Sequence, residues 1–248
     1  MKSKIKVGDV FNTNEGYEVE VIKYNTAKDI TVRFLDLYRY ERTTNQSNLR
    51  NGRIKNPYHP SVYGIGFIGE GPFKTQKNGK RLGSYSTWQA MFNRCYSEKS
   101  LKFRPSYHDC EVDKNWWNYQ NFCQWYYSNN FSGIGYDLDK DVLVSGNKMY
   151  SESTCAFVPR EINSLLLKCG KSYGVSGIKG ACKNIDKYSA HLSNGTESIF
   201  LGRFETAQEA HQAYVFAKEA YVKEVANKWR GRIDERVYDA LMNWTVNP

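Results

Sequence analysis

The feature that most constrains the fold is the segment 173–229 of this 248-residue chain, which combines alternating runs, turn residues and an alanine-rich run. Asn194-Gly195 separates two alternating runs, and Asn-Gly favours a type I′ hairpin turn because both central residues need a positive φ. Thr206 and Glu209 have capping-box spacing, which predicts a helix start before the alanine-rich run 207–224. Together these signals predict a three-stranded sheet with a helix packed across it. Six residues of that run share one helical face: Ala210, Ala213, Tyr214, Ala217, Ala220 and Tyr221.

Short motifs in this segment allow a family comparison. They are Tyr-Gly-Val-Ser at 173–176, Leu-Gly-Arg-Phe-Glu-Thr-Ala at 201–207, Glu-Ala at 209–210 and Ala-Tyr at 213–214. The pattern resembles the DNA-binding domain of plant APETALA and ethylene-response factors, which also occurs in phage homing endonucleases. In that family the sheet lies in the major groove, so the resemblance implies double-stranded DNA as the partner.

Strand alternation assigns the two faces of this sheet. Tyr188, Ala190 and Leu192 are expected to face the helix, and the residues between them to face outward. Basic and hydrogen-bonding side chains on an outward face suit contacts with phosphates and base edges. A solvated basic face is the alternative interpretation. The predicted DNA contacts are Lys179, Lys183, Lys187, Ser189, His191 and Arg203.

The charge of the chain also favours a polyanionic partner. Its formal net charge is +9, and the stretch 74–104 carries eight basic residues against one acid. Within that stretch we predict that Lys77, Lys80 and Arg81 contact the phosphate backbone.

No secretion signal or membrane-length apolar run is present, so we expect a cytoplasmic protein, in the host bacterial cell if the chain is phage-encoded. No Cys-x-x-Cys pair supports a zinc site.

The segment 136–168 follows the order strand, polar loop, strand, helix. Tyr136-Asp-Leu-Asp-Lys-Asp-Val-Leu leads into Ser145-Gly-Asn-Lys and then Cys155-Ala-Phe-Val-Pro. It is similar to the ββα-metal core of HNH nucleases in phage homing endonucleases, and the similarity extends over residues 85–168. The resemblance implies metal-dependent hydrolysis of DNA, with Mg²⁺ or Mn²⁺ held by Asp139 and Asn163. It places the loop-orienting position at Thr154, with Asn147 as a nearby alternative.

The same resemblance places the general base, a histidine in the family, on Lys140. Lysine is protonated at neutral pH unless burial or another cation lowers its pKa, and neighbouring acids favour the charged form. Three interpretations therefore stay open. Lys140 stabilises charge on the phosphate, or His108 or Asp141 supplies the base, or the site is inactive and the fold serves DNA binding.

The expected fold class is α+β, in five parts. Residues 1–55 are predicted to form a small antiparallel β barrel, with a protein partner as one option for it, and 56–83 a Gly/Pro-rich, basic connector. Residues 84–170 are predicted to form the HNH-like core with its helices, 171–230 the three-stranded sheet plus helix, and 231–248 a C-terminal helix.

Gly64-Ile-Gly-Phe-Ile-Gly69 matches a dinucleotide motif, but no βαβ unit surrounds it, so we expect tight turns or close backbone approach instead. The expected function is a phage-type HNH endonuclease, and the alternative is a nuclease-dead DNA-binding protein, either a regulator or a factor against host defence.

Overall fold

The computed structural model describes residues 4–129, 131, 135–166, 177–195 and 197–246, and shows a mixed α+β protein. The chain divides into two compact units, which are described separately. The first comprises Met1–Phe103 and Lys114–Gln124, and the second comprises Arg104–Asp113 and Trp125–Pro248.

The N-terminal part of the first unit is an open antiparallel sheet. Its strands β1 (Val10–Asn12), β2 (Glu18–Thr26), β3 (Asp29–Phe34) and β4 (Glu41–Thr44) pair in chain order, and helix α1 (Gln46–Arg50) follows. Alternate residues of β2 and β3 are buried, as predicted. The prediction of a barrel was wrong within the described residues. Closure needs hydrogen bonds between the edge strands, whereas β1 pairs with β2 and β4 pairs with β3.

Aromatic side chains form the core of the rest of the first unit. A short hairpin, β5 (Gln76–Lys77) and β6 (Lys80–Arg81), precedes helices α2 (Gly83–Tyr96) and α3 (Glu98–Phe103). The helical face predicted for α2 is confirmed, since Trp88, Met91, Phe92 and Cys95 are all buried. The indole Nε1 of Trp88 donates to the carbonyl of Trp116, 2.7 Å away, which satisfies the buried polar atom.

Two glycines of the 64–69 motif allow close packing, as expected. A Cβ on Gly66 would lie 2.9 Å from the Trp88 ring. Gly69 has φ +72°, and a Cβ there would lie 2.1 Å from the Asn118 side-chain oxygen. Each position therefore excludes a side chain for steric reasons.

The second unit contains the strand–loop–strand–helix segment. Strand β8 (Tyr136–Asp139) pairs antiparallel with β10 (Ala156–Pro159), and helix α5 (Arg160–Leu165) follows directly. The short strands β7 (Glu111–Val112) and β9 (Met149–Tyr150) pair in parallel. Helix α4 (Tyr119–Ser128) ends in this unit, where Trp125 stacks on Phe157 with ring centroids 5.3 Å apart.

The helix and the last two strands of the C-terminal sheet are observed where the sequence predicts them, and the first described strand lies at Ala181–Asn184, after the predicted first-strand motif. Strands β11 (Ala181–Asn184), β12 (Lys187–Ser193) and β13 (Ser198–Phe204) pair antiparallel, and α6 (Ala207–Trp229) packs against them. The capping box is confirmed, because the Glu209 amide donates to Thr206 Oγ1 and the Thr206 amide to the Glu209 carboxylate, both at 3.2 Å. The predicted first-strand motif at 173–176 lies outside the described residues.

The turn at Asn194-Gly195 differs from the prediction. Ser193 pairs with Ser198, so the connection is a four-residue loop rather than a two-residue type I′ turn. The Asn194 side chain accepts from the Glu197 amide at 2.7 Å, and the Asn194 amide donates to the Glu197 carbonyl at 3.1 Å. Asparagine therefore closes the loop through its own side chain.

Helix α6 belongs to two cores. Its first half contributes Ala207 and Ala210 to the core under the sheet. Its second half contributes Val222, Val225 and Ala226 to the core formed with β10, α5 and α7 (Glu235–Met242).

The predicted C-terminal helix is confirmed as α7, which is capped by Asp234. No helix in the described part of the chain is long and apolar enough to cross a membrane.

Candidate metal site and candidate nucleic-acid interface

Lys140 is the buried centre of the loop between β8 and β9. Its side chain is only 8% exposed. The ammonium Nζ donates to both Asp141 carboxylate oxygens at 2.8 and 2.9 Å and to the Asn147 carbonyl at 2.5 Å. Burial lowers the pKa of Lys140, but the hydrogen bonds and charge of Asp141 outweigh burial, so the pKa is raised overall. All three ammonium protons are engaged in hydrogen bonds. Lys140 therefore holds the loop together and cannot accept a proton.

Asn147 and Thr154, the predicted loop-orienting residues, both hold this loop. Asn147 Nδ2 donates to the carbonyls of Lys140 at 2.8 Å and Met149 at 2.6 Å, and its Oδ1 accepts from the Met149 amide at 3.0 Å. Thr154 Oγ1 donates to the same Met149 carbonyl at 2.7 Å. The loop is thus closed by side chains rather than by regular strand pairing.

Asp139, the predicted first metal ligand, ends β8 with its carboxylate turned into the loop. Its Oδ1 accepts from the amides of Asp141 and Val142 at 2.6 and 2.7 Å. Burial raises the pKa of Asp139, while these two hydrogen bonds partly oppose the rise. No ion pair with Asp139 is formed by any residue that the structure describes. The carboxylate is therefore desolvated and keeps one oxygen free of backbone amides.

Asn163, the predicted second ligand, contacts a different acid. Its Nδ2 lies 3.4 Å from Asp137 Oδ2, and Arg160 Nε lies 3.9 Å from the same oxygen. Asp137 and Asp139 are two residues apart on β8, so both point to one side of the strand. The structure thus groups Asn163 with Asp137 and Arg160 at the start of α5.

His108 and Asp141, the alternative general bases, lie in the same unit as this loop. His108 is exposed and forms the C-terminal cap of the short 3-10 turn 105–107. The ring of the preceding residue, Tyr107, lies 5.5 Å from Lys140 Nζ, and Lys148 Nζ donates to the Ser106 carbonyl at 2.9 Å. The Asp141 carboxylate is bound by Lys140, and Asp141 contacts Asp139 through its backbone amide, so both candidate bases remain predictions.

The Asp139 carboxylate and the Asn163 amide are few in number, but their oxygens are of the kind that suits a hard divalent cation. Carboxylate and amide oxygens are ligands that Mg²⁺ accepts, and Mg²⁺ keeps several waters beside one or two carboxylates. A half-buried carboxylate whose pKa is raised by burial, as at Asp139, is stabilised by such an ion. Within the described ranges, no group of three or more His, Cys, Asp or Glu side chains could hold a metal.

The predicted phosphate contacts Lys77, Lys80 and Arg81 lie on the β5–β6 hairpin of the first unit. Asn78 and Gly79 have φ +51° and +72°, the combination of a type I′ turn. Lys77 and Lys80 are direct cross-strand partners, so their exposed side chains project from the same face of the hairpin. Neither forms an ion pair with a described residue, and like charges in direct opposition repel.

Lys187, Ser189 and Arg203 are brought together on the outward face of the C-terminal sheet. Ser189 is opposite Arg203 on β13 and opposite Cys182 on β11. With the β11–β12 turn they line a shallow hollow of about 280 Å³. The exposed Arg203 guanidinium forms no ion pair with a described residue, whereas Lys187 pairs with Glu205. His191 lies further along β12, with its ring 5.3 Å from that of the exposed Phe200.

The remaining two predicted contacts are not on this outward face. Lys183 pairs with Tyr188, whose ring packs on the helix side, so Lys183 belongs to the helix-side face and is exposed because β11 is an edge strand. Lys179 lies before β11, where its carbonyl is 2.7 Å from His211 Nδ1 of α6. Strand alternation alone could not assign Lys183 to a face, because the register of β11 was unknown.

Sequence analysis also missed two features of these surfaces. The hairpin at 76–81 was placed in a connector, although Asn78-Gly79 is the same turn signal used at residue 194. The packing of Tyr107 and Lys148 around the Lys140 loop has no local sequence signal, because it joins segments about forty residues apart. Comparison of the chain with protein-family models, with curated proteins and with solved structures finds no match.

Proposed function

We propose that the protein binds double-stranded DNA. The observation that carries this proposal is the Lys77–Lys80 pair, in which two exposed lysines are direct cross-strand partners and neither forms an ion pair with a described residue. Their repulsion destabilises the free hairpin, and a phosphate placed against both would relieve it. A two-stranded ribbon is also narrow enough to enter the major groove.

The outward face of the C-terminal sheet supports the same proposal independently. Arg203 offers a fork of donors that forms no ion pair with a described residue, which suits a phosphate or the O6 and N7 atoms of guanine. Asn184 adds a neutral, exposed hydrogen-bonding group at the hollow, whereas Ser189 is buried there and its hydroxyl donates to the Cys182 carbonyl. Lys187 would exchange its Glu205 partner for a phosphate, so we expect it to contribute less than Arg203.

The test is the salt dependence of binding to a fluorescent 30-base-pair duplex. Each phosphate contact contributes about 0.9 to the slope of log K against log salt. The double variant Lys77→Ala/Lys80→Ala should therefore reduce the slope by about 1.8. Lys28→Ala, an exposed lysine of the same unit, is the matched control and should leave the slope unchanged. A wild-type slope near zero would exclude duplex DNA as the partner.

A second function, metal-dependent hydrolysis of DNA, is favoured by the state of Asp139. Its half-buried carboxylate forms no ion pair with a described residue, and Asn163 supplies an amide on the adjoining helix. Asp139 and Asn163 would hold Mg²⁺ or Mn²⁺, which supplies Lewis-acid chemistry when bound. In this proposal Lys140 positions the loop that carries Asp139, and Arg160, with its side chain 81% exposed, is available to bind the phosphate. His108 remains the proposed proton acceptor because Lys140 and Asp141 neutralise each other.

Asp139→Asn tests this second function without breaking the loop. The amide keeps an oxygen for the Asp141 and Val142 amides but removes the negative charge. Supercoiled plasmid is incubated with Mg²⁺, Mn²⁺ or EDTA, and the melting temperature is followed in the same metals. We expect metal-dependent nicking and a metal-dependent rise in melting temperature for the parent, both lost in Asp139→Asn and kept in Asp239→Asn. Duplex binding without either effect would assign the protein to the nuclease-dead alternative.

A further inference from the structure

The turn that joins β11 to β12 carries an unusual residue. Asn184 pairs with Lys187, so the turn consists of Ile185 and Asp186 alone. Ile185 has φ +50°, in the left-handed region, and is 84% exposed. Glycine, asparagine and aspartate tolerate that region, whereas a β-branched side chain is strained there.

Neither folding nor packing of the described residues accounts for isoleucine at this position. The left-handed conformation is disfavoured by its branched Cβ, and an exposed side chain adds almost no buried apolar area. Asparagine or glycine would make the same turn with less strain. The free protein therefore holds a stiff, apolar group in water at a local cost.

The surroundings of Ile185 indicate what it contacts. It lies on the rim of the hollow that Lys187, Ser189 and Arg203 line, so it projects beside the proposed DNA-binding face. Asp186 is next to it, and its negative charge disfavours placing the turn against phosphates. A carboxylate can instead accept from the amino group of cytosine, so the turn is better suited to base edges. The apolar group that base edges present in the major groove is the 5-methyl group of thymine.

We propose that Ile185 is a specificity-determining residue that packs against a thymine methyl group in the major groove. This inference rests on the proposed binding of duplex DNA by the same sheet. It adds a base-specific contact to a surface whose charged residues would otherwise recognise only the backbone.

The experiment starts from a randomised 30-base-pair duplex library selected on the full chain. The enriched duplex is then remade with uracil in place of thymine, one position at a time, which removes single methyl groups and leaves every hydrogen bond. Burial of one methyl group against Ile185 corresponds to about a fourfold change in affinity. We expect one uracil position to weaken wild-type binding by about that factor.

Variants at residue 185 separate this contact from a folding effect. Ile185→Gly and Ile185→Asn should keep or raise the melting temperature, bind the thymine duplex about fourfold more weakly, and lose the response to uracil. Ile185→Val keeps a branched apolar group and should retain the response. Equal affinity for thymine and uracil duplexes, or selection of no sequence, would overturn the inference while leaving DNA binding intact. No duplex binding at all would refute the proposed function itself.

Discussion

The hydrogen bonds of Lys140 and Asn147 that close the loop, here called the clamp, allow a quantitative prediction for the stability of the second unit. Asn147→Ala removes three hydrogen bonds, with lengths of 2.6, 2.8 and 3.0 Å, between its side chain and the loop backbone. At about 1 kcal/mol each, their loss should lower the free energy of unfolding by about 3 kcal/mol. For a unit of this size that corresponds to a fall in melting temperature of about 6–12 °C.

Lys140→Met should cost less, about 1–2 kcal/mol, because methionine keeps the packing of the stem and water can hydrate the half-exposed Asp141. Both side chains close one loop, so releasing it with either substitution leaves less for the other to lose. The double variant should therefore be destabilised by less than the sum of the single variants, by at least about 0.5 kcal/mol.

Urea unfolding followed by tryptophan fluorescence measures these changes, with the transition of the second unit analysed separately from that of the first. Asn243→Ala is the control, since its exposed side chain donates one hydrogen bond to the Asp239 carbonyl. An Asn147→Ala variant within about 0.5 kcal/mol of the parent would refute the clamp. Full additivity of Lys140→Met and Asn147→Ala would refute their common action.

Three further predictions concern other parts of the fold. Thr206→Ala removes the cap of α6 and should lower the free energy of unfolding by about 1 kcal/mol, measured by urea unfolding. Gly66→Ala forces a Cβ to 2.9 Å from the Trp88 ring and should destabilise the first unit by about 1–3 kcal/mol, measured as a shift in its thermal transition. The hydrogen bond from Lys228 lowers the pKa of Glu161, so this pair stabilises the fold above the ordinary pKa of 4.5 and stops doing so as pH falls through the lowered value. The difference in unfolding free energy between the parent and Glu161→Gln should accordingly be largest near neutral pH and shrink below pH 4.5.

The cap prediction has a control within the same unit. Ser198→Ala changes an exposed hydroxyl on β13 and should have little effect, and an equal effect from Thr206→Ala would contradict the cap. Gly66→Ala with no measurable destabilisation would argue against close packing on Trp88. A Glu161→Gln difference that is constant with pH would show that the Lys228 pair does not contribute.

Local signals were sufficient where a structure depends on neighbours in sequence. The Thr206–Glu209 capping box, the buried face of α2 and the Asp234-capped helix were all predictable, because each rests on residues within one or two helical turns. The alternation in β2 and β3 identified strands equally well. It did not reveal that their sheet stays open, because closure depends on whether the edge strands β1 and β4 meet.

The candidate sites show the same division. The sequence located the residues of the β8–β10 segment, but their partners were decided by packing. Lys140 is turned to Asp141 and Asn147, and Asn163 is turned to Asp137 rather than to Asp139. These pairings depend on loop closure and on how α5 leaves β10, neither of which has a sequence period.

What the sequence by itself determined is therefore the helix boundaries set by caps and the basic character of residues 76–81. Only the tertiary structure decided that Lys77 and Lys80 oppose each other, that Lys183 belongs to the helix-side face, and that Ile185 borders the hollow. The physical reason is register. A shift of one residue between paired strands moves every side chain to the other face, and in these hairpins the register follows from the two-residue turns that join the strands.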